Sequence, residues 1–247
     1  RAIGRKILAE AEHIIFISPI YKDRLYGMMD SGFVKTLENK TSILPNGIDD
    51  FWLESTSPTL PYDANEAFRL IYVGQLIKRK NLDKILNALD DLRGKGHNIT
   101  LTVIGGGHPS ESQFSQEIVS RMKKTDYVDY KGVVRDQQLL RHEIAKNHAL
   151  IMPSINELFG LVFIEAISQN TPVVYPNNEG ITPYLDNKNV GVVVNPSDEE
   201  SIGQGILTIK KDYDTYGDIA DIAKDFDWNK ITQEFSQLYR KNLNEQD

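Results

Sequence analysis

Residues 68–92 read FRLIYVGQLIKRKNLDKILNALDDL, and the spacing of the apolar side chains changes once within this stretch. The segment from Phe68 to Val73 is almost entirely apolar, which predicts a strand buried on both faces. After a polar turn, a helical pattern begins near Asn81 and places apolar residues three and four positions apart, at Leu82, Ile85, Leu86 and Leu89. A buried strand followed by an amphipathic helix is one unit of a parallel α/β sheet.

The same alternation of short apolar runs and longer helical patterns continues on both sides of this unit. Further strand candidates lie at 13–18, 41–44, 99–104, 128–130, 149–152, 172–175 and 191–194. Most of them are too apolar for a strand with one face in water. The sequence therefore predicts the α/β class, a Rossmann-like parallel sheet with helices on both faces, preceded by a short αβ segment.

The composition divides the chain into four parts. Residues 49–66 are polar and contain prolines, which predicts a linker. Residues 67–227 form the series of strand and helix units. Residues 1–48 offer at most two strands, too few to bury a core, so we expect them to dock on the main domain. Residues 228–247 form a final helix that we expect to hold them, through an apolar face at Trp228, Ile231, Phe235, Leu238 and Tyr239.

Charge and cysteine content exclude several classes of function. The chain has 28 Lys and Arg against 35 Asp and Glu, a net charge of -7, so no nucleic-acid partner is expected. It has no cysteine, which excludes disulfides, thiolate metal sites and cysteine nucleophiles and favours a cytoplasmic location. No apolar run approaches the roughly 18 residues of a membrane span.

The stretch most informative for function is PSINELFGLVFIEA, from Pro153 to Ala166. It follows an apolar strand and its second half has a helical pattern, so Glu157 falls at the helix entrance and Glu165 inside the helix. The start of a helix presents unpaired backbone N–H groups, which suit a diphosphate, and Gly160 lets an anion come close. Without further context, Glu157 would be a capping carboxylate and Glu165 a surface charge.

The spacing of the two glutamates resembles the Glu-x7-Glu motif of the large group 1 family of retaining glycosyltransferases, which have the GT-B fold. Five further segments resemble signatures of that family in the same order: 43–49, 72–81, 103–107, 130–134 and 171–174. The first resembles the interdomain signature, and the second resembles the strand and loop that bind phosphate. The resemblance extends from about residue 13 to residue 240 and implies the C-terminal, donor-binding domain of such an enzyme.

The resemblance implies roles for particular residues. Glu157 and Lys80 would be the catalytic residues, with Glu157 binding hydroxyls of the transferred sugar and Lys80 contacting the diphosphate. Glu165 would accept hydrogen bonds from the ribose hydroxyls. The remaining substrate-binding residues implied by the family pattern are Gly74 and Gln75 after the first strand of the main domain, Gly132, Val134 and Arg135 near the base, and the backbone at Phe159, Gly160, Leu161 and Val162.

One of these positions departs from the family pattern. Many members have arginine where this chain has Gln75. Glutamine donates to a phosphate oxygen but carries no charge, so Lys78, Arg79 or Lys80 must supply the compensating positive charge. Two Asp-x-Asp triplets, at 212–214 and 225–227, lie in a polar region away from any strand end, and we expect no metal site and no cofactor.

The function implied is transfer of a sugar, from a UDP-sugar as the commonest donor in the family, to a hydroxyl of a glycan, lipid or protein acceptor with retention of anomeric configuration. Residues 1–48 resemble only the last part of the family's acceptor-binding N-terminal domain. We therefore expect a missing domain or a partner subunit to supply the acceptor site, and to bring the protein to the inner face of the membrane. This chain alone is expected to be inactive.

Two other functions remain open at this stage. The chain can be a donor-binding subunit without activity of its own, or a sugar-nucleotide epimerase built on the same fold. The complete pair of glutamates at 157 and 165, together with the signature at 45–49, favours the transferase over the epimerase.

Overall fold

The computed structural model describes residues 2–244. The first part of the chain forms a small αβ unit around two parallel strands. Ile14 pairs with Thr41 and Phe16 with Ile43 in these strands. The elements of this unit are α1 (Ala2–Glu10), β1 (Ile14–Phe16), α2 (Pro19–Tyr26), α3 (Ser31–Glu38) and β2 (Thr41–Ile43). We call residues 2–43 the N-terminal segment.

The main domain is built on a six-stranded, all-parallel sheet in the order β5-β4-β3-β6-β7-β8. The chain moves outward from β3 to β5 and then returns to place β6 against the other side of β3. In sheets of this kind, ligands bind at the carboxyl ends of the two strands where the order reverses. The strands are β3 (Phe68–Val73), β4 (Ile99–Ile104), β5 (Val128–Gly132), β6 (Ala149–Ile151), β7 (Val173–Pro176) and β8 (Gly191–Val194).

Helices cover both faces of this sheet. The helices are α4 (Asp50–Leu53), α5 (Leu82–Gly94), α6 (Ser112–Lys123), α7 (Gln137–Ala145), α8 (Leu161–Ile167), α9 (Thr182–Leu185), α10 (Glu199–Lys211) and α11 (Trp228–Asn244). Helix α5 packs against α10, and α7 packs against α8. The four leucine and isoleucine residues predicted to face the sheet from α5 are fully buried. The predicted α/β class and parallel sheet are confirmed.

The segment 49–66, predicted as a linker from its polar composition, packs on the main domain. Trp52 in α4 is buried, and its carbonyl accepts a hydrogen bond of 3.3 Å from the side chain of Gln169. The ring of Tyr62 lies edge-on to Phe68, with 5.1 Å between the ring centroids. Two aromatic side chains therefore tie this polar segment to the core, whereas the predicted domain boundaries themselves stay predictions.

The last helix returns to the N-terminal segment. The amide of Ile48 donates to the carbonyl of Phe226 at 2.8 Å, immediately before α11 begins at Trp228. Phe235 and Tyr239 are 47% and 59% exposed and border a groove of about 340 Å³ that also includes residues 11–13. The apolar face of α11 thus lies beside the start of β1. Within residues 2–244, no helix combines the length and the apolar character needed to cross a bilayer.

Candidate functional site

The crevice at the carboxyl ends of β3 and β6 begins with the turn after β3. The amide of Gly74 donates to the carbonyl of Ile104 at 3.0 Å, and the hydroxyl of Tyr72 donates to the carbonyl of Gln75 at 2.7 Å. The backbone of β4 approaches so closely that a Cβ at Gly105 would lie 1.8 Å from the Gly74 oxygen. The turn is therefore fixed by its backbone, and the side chain of Gln75 is exposed.

Lys80 enters the crevice because the chain makes one tight turn between β3 and α5. Residues 78–80 form a single 3₁₀ turn that ends at Asn81, which has a left-handed backbone (φ 55°). The side chain of Asn81 donates to the carbonyls of Pro153 and Pro196, each at 2.7 Å. This residue therefore joins the start of α5 to the loop after β6, and Lys80 is buried beside that loop.

The two residues predicted to be catalytic meet in this crevice. The Lys80 ammonium contacts Oε2 of Glu157, and the hydroxyl of Ser154 donates to the same oxygen at 3.1 Å. Both charged side chains are 11% exposed. Burial lowers the pKa of Lys80, while the charge of Glu157 opposes that shift. The residues assigned separately to the diphosphate and to the sugar therefore form one buried ion pair.

A cavity of about 350 Å³ lies beside this ion pair. Ile17 and Asn46 border it on one side, so the part of the chain before the main domain contributes to it. Six of the predicted site residues border it as well: Lys80, Glu157, Phe159, Gly160, Leu161 and Val162. Sequence reasoning therefore identified most of the groups that surround this cavity.

Gly160 shapes the cavity at the point where α8 begins. Its φ is 85°, a region that residues with a side chain rarely adopt. A Cβ at this position would also lie 2.7 Å from the ring of Phe163. The neighbouring Phe159 is buried, and its ring packs edge-on against Tyr184 and Phe226 at centroid distances of 5.3 and 5.9 Å. The Phe159 side chain thus holds the loop from the core side and leaves its backbone toward the cavity.

Glu165 lies one turn into α8 and does not border the cavity. Burial raises the pKa of Glu165 to about 7. No hydrogen bond or ion pair from residues 2–244 reaches its carboxylate oxygens. An uncompensated carboxylate of this kind is available to accept hydrogen bonds from a ligand.

The residues predicted to contact the base lie farther along the sheet edge. Gly132 ends β5, and its carbonyl accepts a hydrogen bond of 2.8 Å from the amide of Gly105. Val134 is half-buried and Arg135 is exposed. Together with Gly74 and Gln75, these three residues stand outside the cavity beside the ion pair. The structure thus does not gather every predicted site residue around one cavity.

Sequence reasoning missed Glu179, which lies behind the loop that carries Glu157. It accepts hydrogen bonds from the amides of Asn156 and Glu157 and pairs with Arg24 of the N-terminal segment. The only available signal was that Glu179 follows the end of β7. Because β7 neighbours β6, the loops after these two strands meet at the same edge of the sheet.

Side chains able to bind a metal are dispersed in the part of the chain that the structure describes. Within residues 2–244, no group of three or more His, Asp or Glu side chains is arranged to hold a metal ion. In the second Asp-x-Asp triplet, Asp225 pairs with Lys188 and Lys230, at 3.4 and 2.8 Å. The absence of a metal requirement stays a prediction.

Comparison with known proteins identifies the family to which the main domain is similar. The family described as "Glycosyl transferases group 1" matches residues 63–226. An uncharacterized glycosyltransferase from Methanocaldococcus jannaschii is 22% identical over 244 residues, which cover 94% of this chain and 60% of that protein.

Solved structures match over almost the whole chain. Sucrose-phosphate synthase from Thermosynechococcus elongatus has a TM-score of 0.78 and 24% identity, covering 97% of this chain and 60% of that one. Anabaena HepE, in complex with UDP and glucose, has a TM-score of 0.77 and 18% identity, covering 97% of this chain and 66% of its own. At these identities the structures establish the fold alone.

The family match covers β3 to β8 and the buried pair of Lys80 and Glu157. The predicted GT-B architecture is confirmed by the structural matches. The chain spans about 60% of the length of the archaeal glycosyltransferase and of sucrose-phosphate synthase. It belongs to the group 1 family of glycosyltransferases.

Proposed function

We propose that the protein transfers a sugar from a nucleoside diphosphate sugar, preferably a UDP-sugar, to an acceptor hydroxyl with retention of anomeric configuration. The observation that carries the proposal is the buried pair of Lys80 and Glu157 beside a cavity at the carboxyl ends of β3 and β6. A buried ammonium suits a diphosphate, and a carboxylate accepts from two sugar hydroxyls. Membership of the family supplies the class of reaction.

In our proposal, Lys80 and Glu157 bind different parts of the donor. An ammonium group has three N–H donors, so Lys80 can reach the diphosphate. Glu157 is then free to accept hydrogen bonds from the sugar. As the bond from the anomeric carbon to the phosphate oxygen breaks, negative charge grows on the diphosphate, and Lys80 stabilises it.

The chemistry of retention needs no nucleophile from this chain in our proposal. The acceptor hydroxyl attacks the anomeric carbon from the face that the diphosphate leaves, and the departing phosphate oxygen takes the hydroxyl proton. We assign the acceptor contacts to a further domain or a partner subunit, because the relatives are longer than this chain. UDP is favoured as the nucleotide because HepE, which shares the fold, binds UDP.

The surroundings in which the reaction takes place are also part of the proposal. Donor binding requires no divalent metal, since Lys80 supplies the positive charge. The lack of cysteine agrees with a reducing cytoplasm. We place the protein there, with any contact to the membrane made through residues outside this chain.

Calorimetric titration of the chain with UDP-, GDP- and ADP-sugars tests the proposal. We expect a UDP-sugar to bind, with the same affinity in the presence of EDTA. Lys80→Met should weaken binding about 10- to 100-fold, since a charge-assisted hydrogen bond contributes about 1.5–3 kcal/mol. Lys95→Met is the matched control, because Lys95 is exposed and pairs with Asp91 at 2.6 Å, away from the donor site.

Two outcomes would count against the proposal. If no nucleotide-sugar bound to the chain, the proposal that this cavity is a donor site would be refuted. Binding with no sugar transfer by the complete protein together with its partners would instead favour a donor-holding subunit.

A further inference from the structure

A buried carboxylate holds the loop that carries Glu157, in addition to backbone hydrogen bonds from Ile155 to Arg79 at 2.7 Å and from Gly180 to Glu157 at 3.0 Å. Glu179, in the turn between β7 and α9, is 4% exposed. Its Oε1 accepts from the amide of Asn156 at 3.1 Å, and its Oε2 accepts from the amide of Glu157 at 2.9 Å. Asn156 has a left-handed backbone, with φ at 54°. Asparagine adopts this conformation more readily than most residues with a side chain, and the hydrogen bond to Glu179 stabilises it here.

The positive partner of this carboxylate comes from the N-terminal segment. Arg24 in α2 donates from Nη1 to Oε2 and from Nη2 to Oε1, both at 3.1 Å. Each oxygen of Glu179 therefore accepts one backbone N–H and one guanidinium N–H. Arg24 also donates to the carbonyl of Asn178 and lies 5.3 Å from the ring centroid of Tyr21.

Arg24 is the only cation that pairs with Glu179 in the part of the chain that the structure describes. A carboxylate buried without an ionic partner is unfavourable, so loss of Arg24 would favour movement of Glu179 toward water. Such a movement weakens the hydrogen bonds to the amides of Asn156 and Glu157. The conformation of the loop thus depends on a residue about 130 positions earlier in the chain.

We propose that Arg24 and Glu179 are positioning residues of the donor site. Arg24 holds the Glu179 carboxylate, Glu179 holds the two amides, and the amides aim the side chain of Glu157 into the cavity. The inference rests on the proposed function in one respect, that Glu157 binds the transferred sugar. We call Arg24, Glu179 and the amides of Asn156 and Glu157 the relay. Docking of the N-terminal segment is then coupled more strongly to recognition of the sugar than to the nucleotide, because Glu165, the proposed ribose contact, makes no hydrogen bond or ion pair with Arg24 or Glu179.

The first test measures the relay without any ligand. Amide hydrogen exchange at Asn156 and Glu157, followed by NMR, should become about tenfold faster in Arg24→Ala. Arg24→Lys keeps the charge but not the paired geometry, so it should restore part of the protection. Arg121→Ala is the matched control, because Arg121 pairs with Asp90 at 2.7 Å and is similarly exposed but lies in α6. It should leave both amides unchanged.

The second test measures the consequence for the ligand. Calorimetry should show that Arg24→Ala weakens UDP-glucose about tenfold and UDP by clearly less, since the sugar contact made by Glu157 is the one that is displaced directly. Glu179→Gln should do the same, because the amide NH2 that replaces one carboxylate oxygen donates hydrogen bonds and cannot accept from the backbone N–H that faces it. Thermal melting of each variant verifies that the main domain remains folded.

The outcomes separate this inference from the proposed function. Unchanged exchange at both amides in Arg24→Ala would overturn the relay. Faster exchange with equal losses for UDP and UDP-glucose would overturn its role in sugar recognition. A wild-type chain that binds neither ligand would overturn the proposed function and the ligand-related part of the inference, while the exchange measurement would still decide whether Arg24 holds the loop.

Discussion

Glu165 is a carboxylate that burial leaves close to half-protonated at neutral pH, because its pKa is raised to about 7. No group within residues 2–244 compensates its charge. Since its folded pKa exceeds the unfolded value, its contribution to stability is complete below the unfolded pKa and is lost as the pH rises through about 7. Ribose hydroxyls that donate to the carboxylate would favour the ionised form, so ligand binding and deprotonation should be linked.

The affinity for UDP-glucose should therefore rise between about pH 6 and pH 8, with release of a proton at the lower pH. The sugar nucleotide is the better ligand for this test, because the terminal phosphate of UDP itself titrates near pH 6. Calorimetry in two buffers of different ionisation enthalpy measures the proton release. In Glu165→Gln both the release and the pH dependence should disappear. An affinity that does not vary with pH in the wild-type protein would contradict this prediction.

The two glutamates should have separable effects on binding. Glu165→Ala should weaken UDP and UDP-glucose alike, by up to about 10- to 100-fold, because it removes a contact to the nucleotide. Glu157→Ala should weaken chiefly UDP-glucose. UDP should bind Glu157→Ala at least as well as the wild type, since loss of the Glu157 carboxylate frees the buried Lys80 for the diphosphate. Equal losses of both ligands in both variants would refute the two assignments.

At the scale of elements, close approach of the loops after β3 and β4 defines one edge of the crevice. Gly105→Ala should destabilise the protein by about 2 kcal/mol or more, because its Cβ would lie 1.8 Å from a backbone oxygen and its φ is 148°. Gly94→Ala at the end of α5 is the matched control. No atom lies within 4 Å of its Cβ, so alanine should stabilise the helix by about 0.5–1 kcal/mol. Urea denaturation measures both, and equal effects would contradict this explanation.

The strands could be predicted because each is a short apolar run buried on both faces. All eight candidates match observed strands within about two residues, and the apolar stripe of α5 is buried as predicted. Lys80 and Glu157 were assigned to one donor site through the resemblance to the group 1 family, and in the structure they follow β3 and β6, which are neighbours in the sheet. The packing of the segment 49–66 on the main domain was harder to predict. It depends on isolated aromatic side chains such as Trp52 and not on a regular spacing of apolar residues.

The relay behind Glu157 could not be predicted, because its members are distant in sequence. Arg24 and Glu179 lie 155 positions apart, and neither belongs to a recognisable spacing. The left-handed backbone at Asn156 agrees with the ease with which asparagine adopts it, but the sequence alone does not say which asparagines do so. The sequence indicates such tertiary contacts only indirectly. Loops that follow neighbouring parallel strands meet at the same edge of the sheet, so their residues can come into contact.

At the scale of the whole molecule, we expect the N-terminal segment to depend on α11 for its stability. Deletion of residues 229–247 should raise amide hydrogen exchange in residues 7–30 well before the strand at residues 68–73 loosens, because the two-stranded unit cannot bury a core alone. Replacing the half-exposed Phe235 and Tyr239 together by aspartate should produce a smaller change of the same kind, since these rings border the groove beside residues 11–13. Unchanged exchange in residues 7–30 after the deletion would refute the dependence.

The chain passes from the N-terminal segment to the main domain near Ile48 and leaves the main domain for α11 near Asp227. These residues form a parallel bridge, and the ring of Trp228 covers Gly47 beside it. Because the two connections between the N-terminal segment and the main domain lie side by side, we expect any swing of the segment to turn chiefly about the line that joins them. The cavity has walls on both sides of that axis, and Arg24 and Glu179 also lie on opposite sides. One distance, measured between a spin label on α2 and another on α9, would then report the swing.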